Sequence, residues 1–218
     1  MKKFIAVLAV AAFSAVLQAG PTIKMLRDST PAYQFKILED GFGGYAAETT
    51  LSTFCLEVSE TFTTGTSYYA VIGTAAVKGG KDWAGGVYGQ EPLATVASDP
   101  LDPRTAFLFT KFMEGDSRLT DETMLQNAIH YIEAESTTSN SYVALADTAV
   151  AEGGEWYGMG LGNVRVMTLW TTLKDPSCYS GYAQDQLILV NAVPEPGTLA
   201  LAGIGMALAG RLRRRREL

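Results

Sequence analysis

Apolar positions along the middle of the chain follow two different periods. Residues 49–77 are rich in Thr, Val, Tyr and Phe, broken by Gly65 and Gly73. Thr61-Phe62-Thr63-Thr64 and Tyr68-Tyr69-Ala70-Val71-Ile72 carry the β-branched and aromatic residue types that fit a pleated surface, so both are expected strands. Val164-Arg165-Val166-Met167-Thr168-Leu169 alternates as a half-buried strand does, and 186–190 reads as another. Between them the pattern becomes helical. Asp102-Pro103 suits a helix start, running to about Met113 before Gly115. Thr120 or Asp121 caps a second helix reaching about Glu135, with Leu125, Ile129 and Ile132 on one face. Residues 141–151 form a third, stopped by Gly153-Gly154. Gly79-Gly80 and Gly85-Gly86 mark loops around Trp83. The expected fold is mainly β, a sandwich or barrel, with a helical insertion over 102–151.

The two ends follow neither period. Met1-Lys2-Lys3 precedes an apolar run over 4–17 and the small-residue stretch Gln18-Ala19-Gly20. That layout is a secretory signal peptide, expected to form a helix and to be cut after Ala19. It is short of the roughly 20 apolar residues that span a bilayer. At the other end, Val193-Pro194-Glu195-Pro196-Gly197 is a rigid break, since each proline fixes its own φ and biases its predecessor towards extended geometry. An uncharged segment follows over 198–210, with Thr198, Leu199, Leu201, Ile204, Met206 and Leu208 as its bulkier members. Arg211, Arg213, Arg214, Arg215 and Arg216 close it. As a helix the uncharged part covers only about 20 Å at 1.5 Å per residue. It is therefore a marginal span of a hydrocarbon core about 30 Å thick. The arginines favour the cytoplasmic side. The organisation expected is a signal peptide at 1–19, an exported globular domain at 20–192 and a sorting and anchoring segment at 193–218.

Pro194-Glu195-Pro196, the short apolar segment and the arginine cluster together resemble the PEP-CTERM sorting signal of Gram-negative bacteria that make exopolysaccharide. The resemblance implies processing near the motif by an exosortase, a membrane-embedded cysteine protease. It also implies transient residence in the inner membrane and a destination in the outer envelope, at the cell surface or outside the cell. Further segments, Thr53-Phe54-Cys55-Leu56-Glu57, Asp99-Pro100-Leu101-Asp102-Pro103, Leu125-Gln126-Asn127-Ala128-Ile129 and Gln184-Asp185-Gln186-Leu187, are similar to an uncharacterised subgroup of such proteins.

Charge sharpens the picture of the body. The chain has 17 basic and 23 acidic residues, net −6. Most of the bases outside the body lie in the arginine tail, so residues 21–192 alone carry about −11. Nucleic-acid binding would need a basic patch, and none exists. A solvated extracellular module fits, with exopolysaccharide as a partner reached through aromatics such as Trp83, Tyr88, Trp156 and Tyr157.

Candidate chemistry is sparse. His130 is the single histidine, so any Ser-His-Asp or Cys-His arrangement must use it. It lies within the second expected helix, where an ordinary structural role is the plain reading. No paired Cys-x-x-Cys, histidine cluster or calcium loop appears, so neither metal site nor cofactor is assigned. Gly158-Met159-Gly160-Leu161-Gly162 lacks the strand-turn-helix context of a dinucleotide loop. Carboxylates are plentiful without a pair that the sequence places together, which makes a secreted hydrolase the weakest expectation. No catalytic residue is assigned, and the body is read as non-catalytic.

The two cysteines leave three states open. Cys55 and Cys178 form a candidate disulfide in an oxidising compartment. Alternatively both are free or otherwise engaged. The third state comes from a resemblance: Thr53-Phe54-Cys55-Leu56-Glu57 together with Leu125-Gln126-Asn127-Ala128-Ile129-His130 is similar to bacterial surface thioester domains. Those domains join a strand cysteine to a helix glutamine and acylate a partner. The resemblance implies a Cys55–Gln126 bond and a covalent adhesin, with His130 where that family usually has tryptophan.

Overall fold

The computed structural model describes residues 21–27, 32–58, 60–77, 99–175 and 178–191. The expected signal helix, the sorting motif with its membrane segment and arginines, Trp83 and Tyr88 lie outside the described residues. Strands β1 (Ile23–Arg27), β2 (Tyr33–Ile37), β3 (Thr50–Thr53) and β4 (Ser67–Gly73) come first, followed by the short β5 (Ala75–Ala76) and β6 (Asp99–Pro100). Helices α1 (Pro103–Met113), α2 (Glu122–Ile132) and α3 (Ser141–Val150) come next, then β7 (Val164–Asp175), β8 (Cys178–Tyr182) and β9 (Gln186–Leu189).

Seven strands form one antiparallel sheet in the order β3-β2-β1-β4-β7-β8, with β9 also paired to β7. β5 and β6 make a separate two-stranded ladder. A two-sheet sandwich is therefore not what forms. The single sheet curls until its ends meet: Cys55 bridges Gln186, the Leu187 N–H donates to the Phe54 carbonyl at 3.1 Å and the Leu56 N–H to that of Asp185 at 3.1 Å. Residues 54–56, which continue β3, thus close the sheet against β9 as in a small barrel, removing most of the open edge.

Strand periodicity explains how both faces of the closing strands are used. Ile23, Met25, Phe35, Ile37, Tyr68, Met167, Leu169 and Ile188 fill the inside of the curl. Their neighbours at odd offsets, Val164, Val166 and Leu187, face outwards with Phe54 and Leu56 and pack against the helices. Successive strand residues point to opposite faces, so one strand serves two cores. Each large apolar side chain buried there contributes roughly 1.5–3 kcal/mol. Phe54 meets Phe109 and Phe112 edge-on, with ring centroids 6.2 and 5.1 Å apart.

The helices start where caps are available. Asp102 accepts from the Arg104 N–H, Asp121 from Met124 and Asn140 from Tyr142, each satisfying a donor left orphaned in a first turn. α2 stops at Ile132, short of Glu135. Ala134 takes a left-handed φ of 62°, and the Glu135 N–H turns back to the His130 carbonyl at 2.7 Å. The reversal lets the Glu133 and Glu135 carboxyls accept from the backbone N–H groups of Asp102 and Val58. Residues 61–64 are irregular rather than a strand. They lead into a turn at Gly65, and Phe62 packs edge-on against Tyr33 at 4.9 Å. Among the described residues no helix is long and apolar enough to cross a membrane.

Candidate functional site

Cys55, Gln126 and His130 gather at the seam of the curled sheet. β2 pairs with β3 as far as Tyr33 opposite Thr53, so beyond Thr53 one edge of the chain loses its neighbour. On the other edge, residues 54 and 56 make the backbone bonds to β9. The N–H and C=O of Cys55 consequently point to the edge that β2 has left.

Gln126, near the middle of α2, fills that edge. Its Oε1 accepts from the Cys55 N–H at 3.0 Å, and its Nε2 donates to the Cys55 carbonyl at 2.8 Å. The carboxamide stands in for the missing strand and lies against the backbone of the residue that carries the thiol. Its remaining N–H meets His130 Nε2 at 2.9 Å, one helical turn along. Cys55 is 2% exposed and Gln126 6%. The sequence pair Cys55 and Gln126 is thus brought together in space.

The sulfur faces the inside of the curl. Its S–H donates to Gln184 Oε1 at 2.9 Å, and Gln186 Nε2 donates towards it at 3.5 Å. Gln184 is held in turn by a bond from its Nε2 to the Glu57 carbonyl. Burial pushes the Cys55 thiol up to about 11, against smaller opposing effects of hydrogen bonds from Gln186 and Tyr33. The group at rest is therefore a protonated thiol, not a thiolate. Burial likewise pushes His130 down to about 4, so its ring is neutral at physiological pH. Cys55, His130, Tyr33, Glu57, Phe62 and Gln184 line one cavity of about 280 Å³.

Beneath the thiol lies a carboxyl pair that the sequence did not place together. The Tyr182 hydroxyl donates to Glu57, the Asp185 N–H donates to Glu57 Oε2 at 3.0 Å, and the Val77 N–H donates to Asp185 Oδ2. Burial, then the charge of Asp185, raises the Glu57 carboxyl far above the usual range, and burial raises Asp185 also. Glu57 bonds to backbone and Tyr182, Asp185 Oδ1 is left without a hydrogen bond among the described residues, and both groups are almost wholly buried. Gln184, Gln186, Glu57, Asp185 and Tyr182 are the site residues whose roles the sequence left unassigned. Polar side chains at strand positions that should face a core are the signal that finds Gln184 and Gln186.

The candidate disulfide is corrected. Cys55 is a free thiol. It sits opposite Gln186, which pairs with Met167, whereas Cys178 pairs with Asp175 at the far end of β7. At about 3.3 Å per strand residue the two cysteines lie roughly 25 Å apart along the sheet, against about 7 Å at most for a disulfide. Of the aromatics considered for polysaccharide, Trp156 is 7% exposed and bonded through Nε1 to the Gly160 carbonyl, while Tyr157 is 60% exposed. Tyr157 borders a second cleft of about 410 Å³ with Arg104 and Asp102. Among the described residues no group of three or more His, Cys, Asp or Glu side chains is placed to hold a metal ion.

A family model described as the PEP-CTERM protein-sorting motif matches residues 192–216. No curated protein and no solved structure matches the chain.

Proposed function

We infer from the sorting motif that the protein is exported, processed by an exosortase and delivered to the cell surface or outside the cell. For the body, we propose that Cys55 and Gln126 condense to an internal thioester and that this bond acylates a nucleophile in the envelope or matrix. The thiol attacks the Gln126 carboxamide carbon, the C–N bond breaks, and the thiol proton leaves on ammonia. An amine on the partner, a surface protein or an exopolysaccharide, then takes the acyl group and returns a free Cys55 thiol. The protein would act once per molecule, as an adhesin and not a turnover enzyme.

The observation that carries this reading is the two-point bond between the Gln126 carboxamide and the Cys55 backbone. It supplies proximity, which in good geometry is worth several kcal/mol of barrier. It also places the nucleophile's own N–H 3.0 Å from the carbonyl oxygen where negative charge would develop. Burial of both groups disfavours hydrolysis of the product, because an acyl–sulfur bond survives where water is excluded. The test is covalent capture of a biotinylated primary amine by purified full-length protein. Stoichiometric labelling at Gln126, lost in Cys55→Ala and in Gln126→Ala, is expected. Labelling that persists in Cys55→Ala, or none in the wild type, would sink the proposal.

A further inference from the structure

We infer that His130 carries the proton from the Cys55 thiol to the nitrogen of Gln126 that departs as ammonia. The inference rests on the thioester reading and names the residue that makes the bond form. Its starting point is an orientation that the backbone fixes. The N–H of Cys55 can only donate and its C=O can only accept, so Oε1 of Gln126 must face the first and Nε2 the second. The amide cannot be flipped without losing both bonds. One Nε2–H of Gln126 is therefore spent on the Cys55 carbonyl, and the other points at His130 Nε2, 2.9 Å away. His130 Nε2 must then be the accepting nitrogen of a neutral ring, with the ring proton on Nδ1. Depression of the imidazole by burial agrees with that state.

The reaction needs such a group. A carboxamide nitrogen leaves as ammonia, not as its anion, so the proton that sulfur gives up must reach that nitrogen during the step. Cys55 is 2% exposed and Gln126 6%, so carriage between them by bulk water is restricted. His130 is the only histidine in the chain, it touches the leaving nitrogen, and it shares the cavity into which Cys55 opens. As the Cys55 side chain turns from Gln184 towards the Gln126 carbonyl carbon, its S–H comes to Nε2, which takes the proton as the S–C bond forms and returns it as the C–N bond breaks, so the imidazole ends unchanged. By microscopic reversibility the same ring takes the proton from an amine that opens the thioester. A helix spacing of four residues between Gln126 and His130 places both side chains on one face, one above the other.

The test follows intact mass of the full-length wild type, His130→Ala and His130→Gln over time, with folding of each checked by circular dichroism. Loss of about 17 Da marks ammonia departure, and a methylamine chase reports opening of the bond formed. Glutamine at 130 can still accept from the Gln126 N–H but cannot relay a proton, so it separates positioning from transfer. Both variants are expected to form and open the bond roughly 100-fold more slowly than wild type, the usual scale of general acid–base assistance. Added imidazole should restore His130→Ala, whose cavity admits it, and leave His130→Gln slow. If the wild type loses ammonia and His130→Gln does so equally fast, the relay is wrong while the thioester stands. If the wild type never loses ammonia, both are overturned.

Discussion

Replacing Gln126 with leucine isolates what the carboxamide does for the fold. The side chains are similar in size, so packing on α2 is largely kept, but the Cys55 N–H and C=O lose the two bonds that Gln126 makes to them on the edge that β2 has vacated. Both groups lie at a position that is 2% exposed, where water cannot easily replace the amide. A buried backbone group left unpaired costs about 1–3 kcal/mol, and two of them, partly relaxed, about 3 kcal/mol. To exclude the cross-link itself, the comparison is between Cys55→Ala and Cys55→Ala/Gln126→Leu, neither of which can form a thioester. In a domain of this size about 3 kcal/mol corresponds to a fall in Tm of roughly 6–12 °C. Scanning calorimetry of the two proteins reads it directly. A fall of less than about 2 °C would refute the reasoning, since one unsatisfied group alone costs more than that.

Two further outcomes follow from the same structure. Burial holds the Glu133 carboxyl at about 8. Because the folded state keeps a proton that the unfolded state has released, its contribution is complete at low pH and is lost as pH rises through that value. Glu133 should cost about 2 kcal/mol between pH 6 and 8, and Glu133→Gln should flatten that part of a Tm-versus-pH curve relative to wild type; parallel curves would contradict it. Gly154 has no room for a side chain, a Cβ there falling 2.3 Å from the Ala149 carbonyl oxygen and 2.4 Å from that of Thr148. Gly154→Ala should displace the turn after α3 and cost upwards of about 2 kcal/mol in urea denaturation, whereas an unchanged midpoint would mean the turn is free to move.

Much of the helical layer was legible because its signals are local. Asp102-Pro103 and Asp121 announce their helices through cap chemistry and Gly153-Gly154 marks the end of the third, and α1 and α3 begin and end within a residue or so of where they were expected. The end of α2 was not legible, because the left-handed turn at Ala134 exists to bring Glu133 and Glu135 onto backbone donors from distant segments. β2 was not among the expected strands, although Tyr33-Gln34-Phe35-Lys36-Ile37 alternates strictly between apolar and polar residues. The curl of the sheet was beyond reach, since nothing in residues 54–56 says that β9 will pair with them. The site was half legible. The Cys55 and Gln126 motifs named the pair, but the clamp depends on where β2 stops, and the burial of Glu57 beside Asp185 depends on the closing seam. Cys178, which has the same residue type as Cys55 and nothing local to distinguish it, was drawn into a pairing that the length of β7 forbids.

The central claim is that Cys55 and Gln126 are bonded in the mature body. Intact mass of protein recovered from the surface of the cells that make it tests this most directly, read before and after methylamine. The account predicts a mass about 17 Da below that of the processed sequence, unchanged by reductant and raised by methylamine in the wild type alone. A mass equal to the unmodified processed chain, or one that only reductant shifts, would contradict it.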